Sequence, residues 1–270
     1  MNIQKISSSS NTVCKKISSL RHRKYRRETN SFVLEGLHGI QDAVNAGWRP
    51  VMIVSAESFH RMPGAESLIN QLAGRNIEWY QTTELLMRKL SETETPQGIL
   101  AVFKQQQLKL HDLLERRPAF ILALDRIQDP GNLGTLIRSA EAAGIEAVLV
   151  THGSADPYHS KTLRASTGAV LHIPVIVLSE TESSCRILKK YGIQLVGAAL
   201  ENSVPYNRQC YHAPLALIIG NESKGISECI LKQADLLVNI PMKGNLQSLN
   251  AAVAGSILMF SIAGHLDLQR

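Results

Sequence analysis

Cysteine is scarce in this chain: four residues in 270, Cys14, Cys185, Cys210 and Cys229, none in a Cys-x-x-Cys pair. Neither a structural zinc site nor a disulfide framework is indicated, and the thiols read as reduced, in a cytoplasmic protein. Aromatic residues are thin at 5%, which argues against an aromatic-rich β-sandwich. With 44% hydrophobic and 19% charged residues, a disordered or collagen-like chain is excluded. An unbroken apolar run of membrane length is missing. The longest uncharged stretch, 245–264, is interrupted by Asn245, Gln247, Ser248, Asn250, Ser256 and Ser261, so it reads as a buried helix and no membrane partner is expected. No G-x-G-x-x-G occurs, which removes the usual sign of a dinucleotide site. His152, Asp156 and His159 form the densest group of metal-capable residues but lack the spacing of a zinc-protease motif, and no metal is expected.

Acids are almost absent from the first thirty residues. Lys5, Lys15, Lys16, Arg21, Arg23, Lys24, Arg26 and Arg27 face one acid, Glu28, so this stretch carries +7 of the chain's +6 while the remainder sums to −1. A basic arm (1–30) on a near-neutral body suits a phosphate backbone or an anionic membrane surface, with Lys15, Lys16, Arg21, Arg23, Lys24, Arg26 and Arg27 as the candidate contacts. A solvated tail has the same composition. So does an organelle transit peptide, Ser-rich, basic and poor in acids.

What is present points to two domains, the expectation for this length. From Phe32 an apolar start, a helical stretch to Ala46, the strand-like Val51–Ser55 and a helical segment near Glu66–Ala73 lead to Gly98–Phe103, a small α/β domain over 31–103. The polar, Gln-rich segment 104–117 reads as a linker, closed by Pro118. From 118 to 270, short apolar runs of strand length (120–124, 147–151, 173–178, 194–199, 215–219, 236–240) mostly alternate with helical patterns, as in a parallel sheet covered on both faces. Ligands of such sheets bind beyond the carboxyl ends of the strands.

Three loops lie there. In D-P-G-N-L-G-T-L-I-R (Asp129 to Arg138), Pro130 and Gly131 turn the chain into a helix, and Asn132 at its start has the chemistry of an N-cap. Arg138 is six residues on, about 120° around a helix, so the two converge only if Asn132 is still in the loop; alone, Arg138 reads as a surface charge. G-N-E-S-K-G-I-S (Gly220 to Ser227) imitates a phosphate-binding Walker loop, but that motif needs Lys after the second glycine, where Ile226 stands. A glycine turn that admits a ligand to backbone amides survives, with Glu222 otherwise a solvated loop acid. I-P-M-K-G-N-L-Q-S-L-N (Ile240 to Asn250) leads into a helix rich in small residues, with Ser248 as its expected N-cap. Ala251, Ala252, Ala254 and Gly255 would allow close approach of another backbone, inside the domain or across a subunit interface.

Together these loops, in this order and at this spacing, resemble the SpoU (TrmH-like) branch of the SPOUT methyltransferases. I-S-S-S-S-N-T-V-C-K-K, F-V-L-E-G and T-P-Q-G-I-L-A-V near the start are similar to the family's N-terminal arm and small RNA-binding domain, so the resemblance covers nearly the whole chain. It implies a C-terminal parallel-sheet domain tied in a trefoil knot, preceded by a ribosomal-protein-like RNA-binding domain, in a homodimer. It implies methyl transfer from S-adenosylmethionine to a ribose 2′-hydroxyl of RNA. Ribosomal RNA is the preferred target by analogy, transfer RNA the enzymatic alternative, and a ribosome-assembly protein with incidental catalysis the non-enzymatic one. By motif position, Gly220, Ile240 and Leu249 would contact the cofactor, with Asn221 and Ala199 as further candidates. The active-site positions fall on Asn132, Arg138, Glu222, Ser248 and Asn250. A guanidinium, with a pKa above about 12, is a poor base at neutral pH. Arg138 is therefore expected to hold phosphate and stabilise developing negative charge near the subunit interface, while Asn132 orients the ribose. Glu222 would order its loop, and Ser248 and Asn250 would bind substrate or shape theirs. Where many relatives continue Asn-Val-Ser, this chain has Asn250, Ala251 and Ala252, so no role falls on position 252.

Overall fold

The computed structural model describes residues 3–267. The chain divides into two compact units, one of residues 1–106 with 158–163, the other of 107–157 with 164–270.

In the first unit the elements run β1 (Ile3–Ile6), α1 (Thr12–Ser19), α2 (Arg23–Thr29), β2 (Ser31–Glu35), α3 (Leu37–Asn45), β3 (Pro50–Ala56), α4 (Ala65–Leu72), β4 (Glu78–Thr82), α5 (Glu84–Leu90) and β5 (Ile99–Lys104). Its sheet has the order β1-β4-β3-β5-β2. β4 is parallel to both its neighbours, whereas β5 runs antiparallel to β3 and β2. Phe32 anchors one side of the core, edge-on to Trp48 at 5.7 Å and stacked on Phe103 at 5.8 Å. The Trp79 indole N–H, fully buried, donates to Ser55 Oγ at 2.9 Å, so its polar atom is satisfied.

Residues 3–30 are not a separate arm, and the first two residues of that expected arm lie outside the described ones. β1 completes the sheet beside β4, from Ile3 opposite Trp79 to Ile6 opposite Thr82. α1, started by the Asn11 side chain accepting from Val13 N, buries Val13, Cys14 and Ile17, with Leu20 just beyond, among Leu86, Met87 and Leu90. Their spacing of one, four and seven residues is that of an amphipathic helix, a signal that the charge run conceals. Burial raises the Cys14 thiol pKa.

The second unit contains α6 (Leu110–Leu114), β6 (Phe120–Leu124), α7 (Pro130–Ala142), β7 (Ala147–Val150), β8 (Val175–Val177), α9 (Thr181–Lys190), β9 (Gln194–Ala198), β10 (Val204–Pro205), β11 (Leu215–Ile219), α10 (Glu228–Leu231), β12 (Leu236–Asn239) and α11 (Ala251–Asp267), with α8 (Ser160–Ser166) beginning in the first unit's segment. The stretch 104–117 is thus only partly a linker: it holds the end of β5 and α6, whose Leu113 and Leu114 are buried in the second unit's core. All six apolar runs are strands, joined by the short β10, in a wholly parallel sheet of order β10-β12-β9-β11-β6-β7-β8. β11 inserts between β6 and β9, and β12 between β9 and β10. Parallel pairing brings the loops after Leu124, Ala198, Ile219 and Asn239 to one edge of the sheet. Ile121, Ala123, Ala216 and Ile218 bury one face with Leu188 and Ile230, and Leu122, Val148 and Leu217 are fully buried on the other.

The long uncharged stretch forms α11, buried along Ala251, Ala252, Gly255, Leu258, Met259 and Ile262. Its small residues serve internal packing against α7. A Cβ on Gly255 would lie 2.4 Å from Leu136 Cδ2, and the Ser139 and Ser256 hydroxyls are hydrogen-bonded at 2.8 Å. No described helix is long and apolar enough to cross a membrane.

Candidate active site

α7 starts one turn earlier than an Asn132 cap would require. Asp129 is the N-cap, its carboxylate accepting from Asn132 N at 2.8 Å, and Pro130 holds the first helical position, where its missing N–H costs nothing. Asn132 is therefore inside the helix, and its side chain is released from capping. The same geometry separates Arg138 from it. Exposed on another side of α7, Arg138 donates from Nη1 to Thr167 Oγ1 at 3.2 Å.

The loop after β11 is built around Asn221. Its carboxamide oxygen accepts from Ser223 N, Ser223 Oγ and Lys224 N, each at 3.0 Å, and its Nδ2 donates to Arg126 O at 2.9 Å. Backbone bonds between Asn221 and Gly225 close the turn in both directions. The Asn221 side chain is thereby turned inward, 7% exposed, and braces the loop. The amides of Asn221, Ser223, Lys224 and Gly225 are already engaged inside the turn, so they are not offered to a phosphate as a Walker loop's would be. Gly220 is required by close approach: a Cβ there would sit 2.3 Å from Gly225 C and 2.4 Å from Ile226 N.

Residues that sequence reasoning missed hold this loop to β6. Asp125, 1% exposed, accepts from Thr151 Oγ1 at 3.0 Å and Ser227 N at 2.8 Å, and pairs with Arg126 Nε at 3.3 Å. Arg126, in the left-handed region at φ 56°, donates from Nη2 to Gly225 O at 3.3 Å. The available sign was a carboxylate directly after five buried apolar residues, where a charge must be paired.

The third loop delivers Asn250, not Ser248, as the cap of α11. Asn250 Oδ1 accepts from Ala252 N at 2.9 Å and Val253 N at 3.3 Å. Ser248 is exposed two residues upstream, too early for a helix that begins at Ala251. With its oxygen committed to the helix, Asn250 donates from Nδ2 to Asn132 Oδ1 at 3.1 Å, and Asn132 donates from Nδ2 to Glu222 Oε1 at 2.9 Å. Three of the five expected active-site residues, one from each loop, are joined by two hydrogen bonds, while Ser248 and Arg138 stand outside that chain.

Ala199, Gly220, Ile240 and Leu249, at or beyond the ends of β9, β11 and β12, are partly exposed and uncharged. Such a set fits the neutral adenosine of S-adenosylmethionine, recognised through main-chain groups and apolar contact. Among the described residues no three His, Cys, Asp or Glu side chains are grouped to hold a metal.

The expected RNA contacts divide. Arg26 is 3% exposed and donates to Leu20 O at 2.7 Å and Arg21 O at 2.8 Å, so it is a structural cation rather than a surface one. Arg21 donates to the carbonyls of Lys89, Leu90 and Ser91 at the end of α5 and pairs with Glu92 at 3.6 Å. Lys15, Lys16, Arg23, Lys24 and Arg27 are exposed.

Residues 119–260 match the SpoU rRNA Methylase family, and residues 11–101 match the MRM3-like substrate binding domain. The chain is 36% identical over 263 residues to the 23S rRNA (guanosine(2553)-2′-O)-methyltransferase RlmP of Bacillus subtilis, covering 97% of this chain and 100% of that one. An AdoMet-bound rRNA methyltransferase from Sinorhizobium meliloti superposes with a TM-score of 0.88 at 32% identity, over 98% of each chain. The SpoU methyltransferase AviRb from Streptomyces viridochromogenes, in complex with AdoMet, gives 0.85 at 27% identity, over 94% of this chain and 97% of that one. With three loops converging as their motifs require and a likeness that runs from end to end, the chain belongs to the SpoU methylase family.

Proposed function

We propose that the protein transfers the methyl group of S-adenosylmethionine to a ribose 2′-hydroxyl of ribosomal RNA. The observation that carries this reading is the Asn250–Asn132–Glu222 chain at the carboxyl edge of a parallel sheet, beside an uncharged set of residues suited to adenosine. S-adenosylmethionine supplies an electrophilic methyl group when bound. Ala199, Gly220, Ile240 and Leu249 would hold it, and Asn132, fixed on both sides, would orient the ribose. Such fixed geometry is worth several powers of ten in rate because the reactants need not find their alignment. RNA as the substrate is supported by the first unit, where fifteen Lys and Arg face nine acids. Ribosomal RNA is supported by what the similar Bacillus subtilis enzyme is named for.

A homodimer belongs to the same reading. Val253, Ile257 and Phe260, spaced by four and three on α11, are 48%, 37% and 53% exposed and form an apolar stripe that a second copy would cover. Arg138, outside its own chain's cluster, would then serve the partner's site. The trefoil knot is supported by the insertion of β11 and β12 between earlier strands. The free cysteines among the described residues support a cytoplasmic location.

The test is incubation with methyl-labelled S-adenosylmethionine and undermodified total RNA, followed by size fractionation and nucleoside analysis. Label in a 2′-O-methylnucleoside of ribosomal RNA, absent with Asn132→Ala, is expected. Label in transfer RNA would overturn the target, and label on a base would overturn the ribose assignment.

A further inference from the structure

We infer that Glu222 is the proton acceptor for the ribose 2′-hydroxyl. This rests on the methyltransfer reading above but assigns Glu222 a different part from ordering its own loop. The direction of the hydrogen bonds is imposed from one end. Asn250 Oδ1 must face the N–H groups of Ala252 and Val253, because the first turn of α11 offers donors alone. Its Nδ2 therefore points at Asn132, whose oxygen must accept, and the Asn132 Nδ2 must in turn find an acceptor. That acceptor is Glu222 Oε1, at 2.9 Å.

Both asparagine oxygens are thus occupied, and Glu222 is the member of the chain with acceptor capacity to spare. It is exposed, with Oε2 clear of any hydrogen bond among the described residues. A ribose oriented by Asn132 lies within reach of the carboxylate that Asn132 already touches. The other candidates lack the chemistry. Ser248 is a neutral hydroxyl outside the chain, and Arg138 is a guanidinium that donates to Thr167. The charged groups on the elements that meet here are Asp129 at the head of α7, Arg126 and Lys224 around the Glu222 loop, and Lys243 in the loop before α11; the three cations, like Arg138, are donors, and Asp129 is committed to capping α7 through Asn132 N.

In the step, the 2′-oxygen–hydrogen bond breaks as the oxygen–methyl bond forms. The proton goes to Glu222, and the methyl donor's sulfur keeps the electron pair of the bond it loses. An arginine base would gain about tenfold in its free form with each pH unit between about pH 6 and 9, a rise that a carboxylate base does not need.

Single-turnover methylation of undermodified ribosomal RNA over pH 6 to 9 separates the two, with cofactor and RNA affinity measured in parallel for the wild type, Glu222→Gln and Glu222→Asp. The wild-type rate is expected to be flat with pH. The Gln variant should fall about 100-fold or more at pH 7, with both affinities within about twofold, and should regain rate about tenfold per pH unit as hydroxide replaces the carboxylate; Asp should recover part of the loss. A wild-type rate that climbs tenfold per pH unit, a Gln variant within tenfold of wild type, or a loss matched by weakened cofactor binding overturns the assignment. A wild-type protein that makes no 2′-O-methylnucleoside at all overturns the methyltransfer reading instead.

Discussion

The two units use sheets of similar size for opposite purposes. The first has five strands of mixed direction and carries a net +6; the second has seven parallel strands, with fourteen Lys and Arg balanced by fourteen acids. Mixed pairing scatters the loops over both ends, and what the first unit offers a ligand is a charged surface. Parallel pairing gathers every loop that follows a strand along one edge, and what the second unit offers is a small set of side chains held by one another. Arginine shows the contrast within the first unit alone, since Arg26 is buried on carbonyls and Arg27, one residue on, is exposed. Charge count measures the surface only after such residues are subtracted.

The comparison breaks most severely at Gly220. Gly220→Ala would press a methyl group against the backbone of Gly225 and Ile226, which cannot yield as a side chain can. We expect a loss of about 3 kcal/mol or more in a denaturant titration, together with cofactor binding. Gly255→Ala, opposed by the flexible Leu136, should cost less, about 1 to 3 kcal/mol.

Asn132→Ala should lower the methylation rate about 100-fold or more while RNA affinity, measured by filter binding, stays within about twofold. In the first unit, alanine at Lys15, Lys16, Lys24 and Arg27 together should weaken RNA binding and reduce the slope of log affinity against log salt by about 3. Arg26→Ala should instead lower the melting temperature, because the carbonyls of Leu20 and Arg21 lose their donor. Removing residues 1–27 outright is a poor test, since β1 and α1 leave with them. Phe260→Asp should shift sedimentation toward the monomer if the α11 stripe is an interface.

The smallest effect concerns thiols. Burial, with smaller contributions from Cys229, Asp125 and Glu182, raises Cys185 to a pKa of about 11, so its thiol is protonated at pH 8. Cys210, exposed, should be alkylated first in the folded protein, and Cys185 only after denaturation. Because the folded pKa is raised, Cys185's contribution to stability is intact below about pH 9 and is lost as pH rises toward 11.

Much of this was legible in the sequence. Apolar runs buried on both faces announce their own strands, and Phe120–Leu124 and Leu215–Ile219 begin and end where their residues do. The short β10 has too few residues to register as a period. Strand order was not legible, because nothing in Leu215–Ile219 says that it lies between β6 and β9. In the site, Asn132, Glu222 and Asn250 are brought together, but which Asn caps which helix depended on where each helix starts. Asp129 outcompeted Asn132 through the Pro130 that follows it, and Asn250 outcompeted Ser248 by adjacency. The folded character of residues 3–29 was written in Val13, Ile17 and Leu20, beneath a charge pattern that drew attention to the other face.

One measurement tests the division of labour most directly: single-turnover methylation at saturating RNA, with RNA affinity determined in parallel, for the Asn132→Ala variant and the Lys15/Lys16/Lys24/Arg27→Ala variant. The account predicts that the first loses rate and keeps affinity, and that the second loses affinity and keeps rate once RNA saturates. A first-unit variant that stays slow at saturation, or an Asn132 variant whose defect is cured by more RNA, would contradict it.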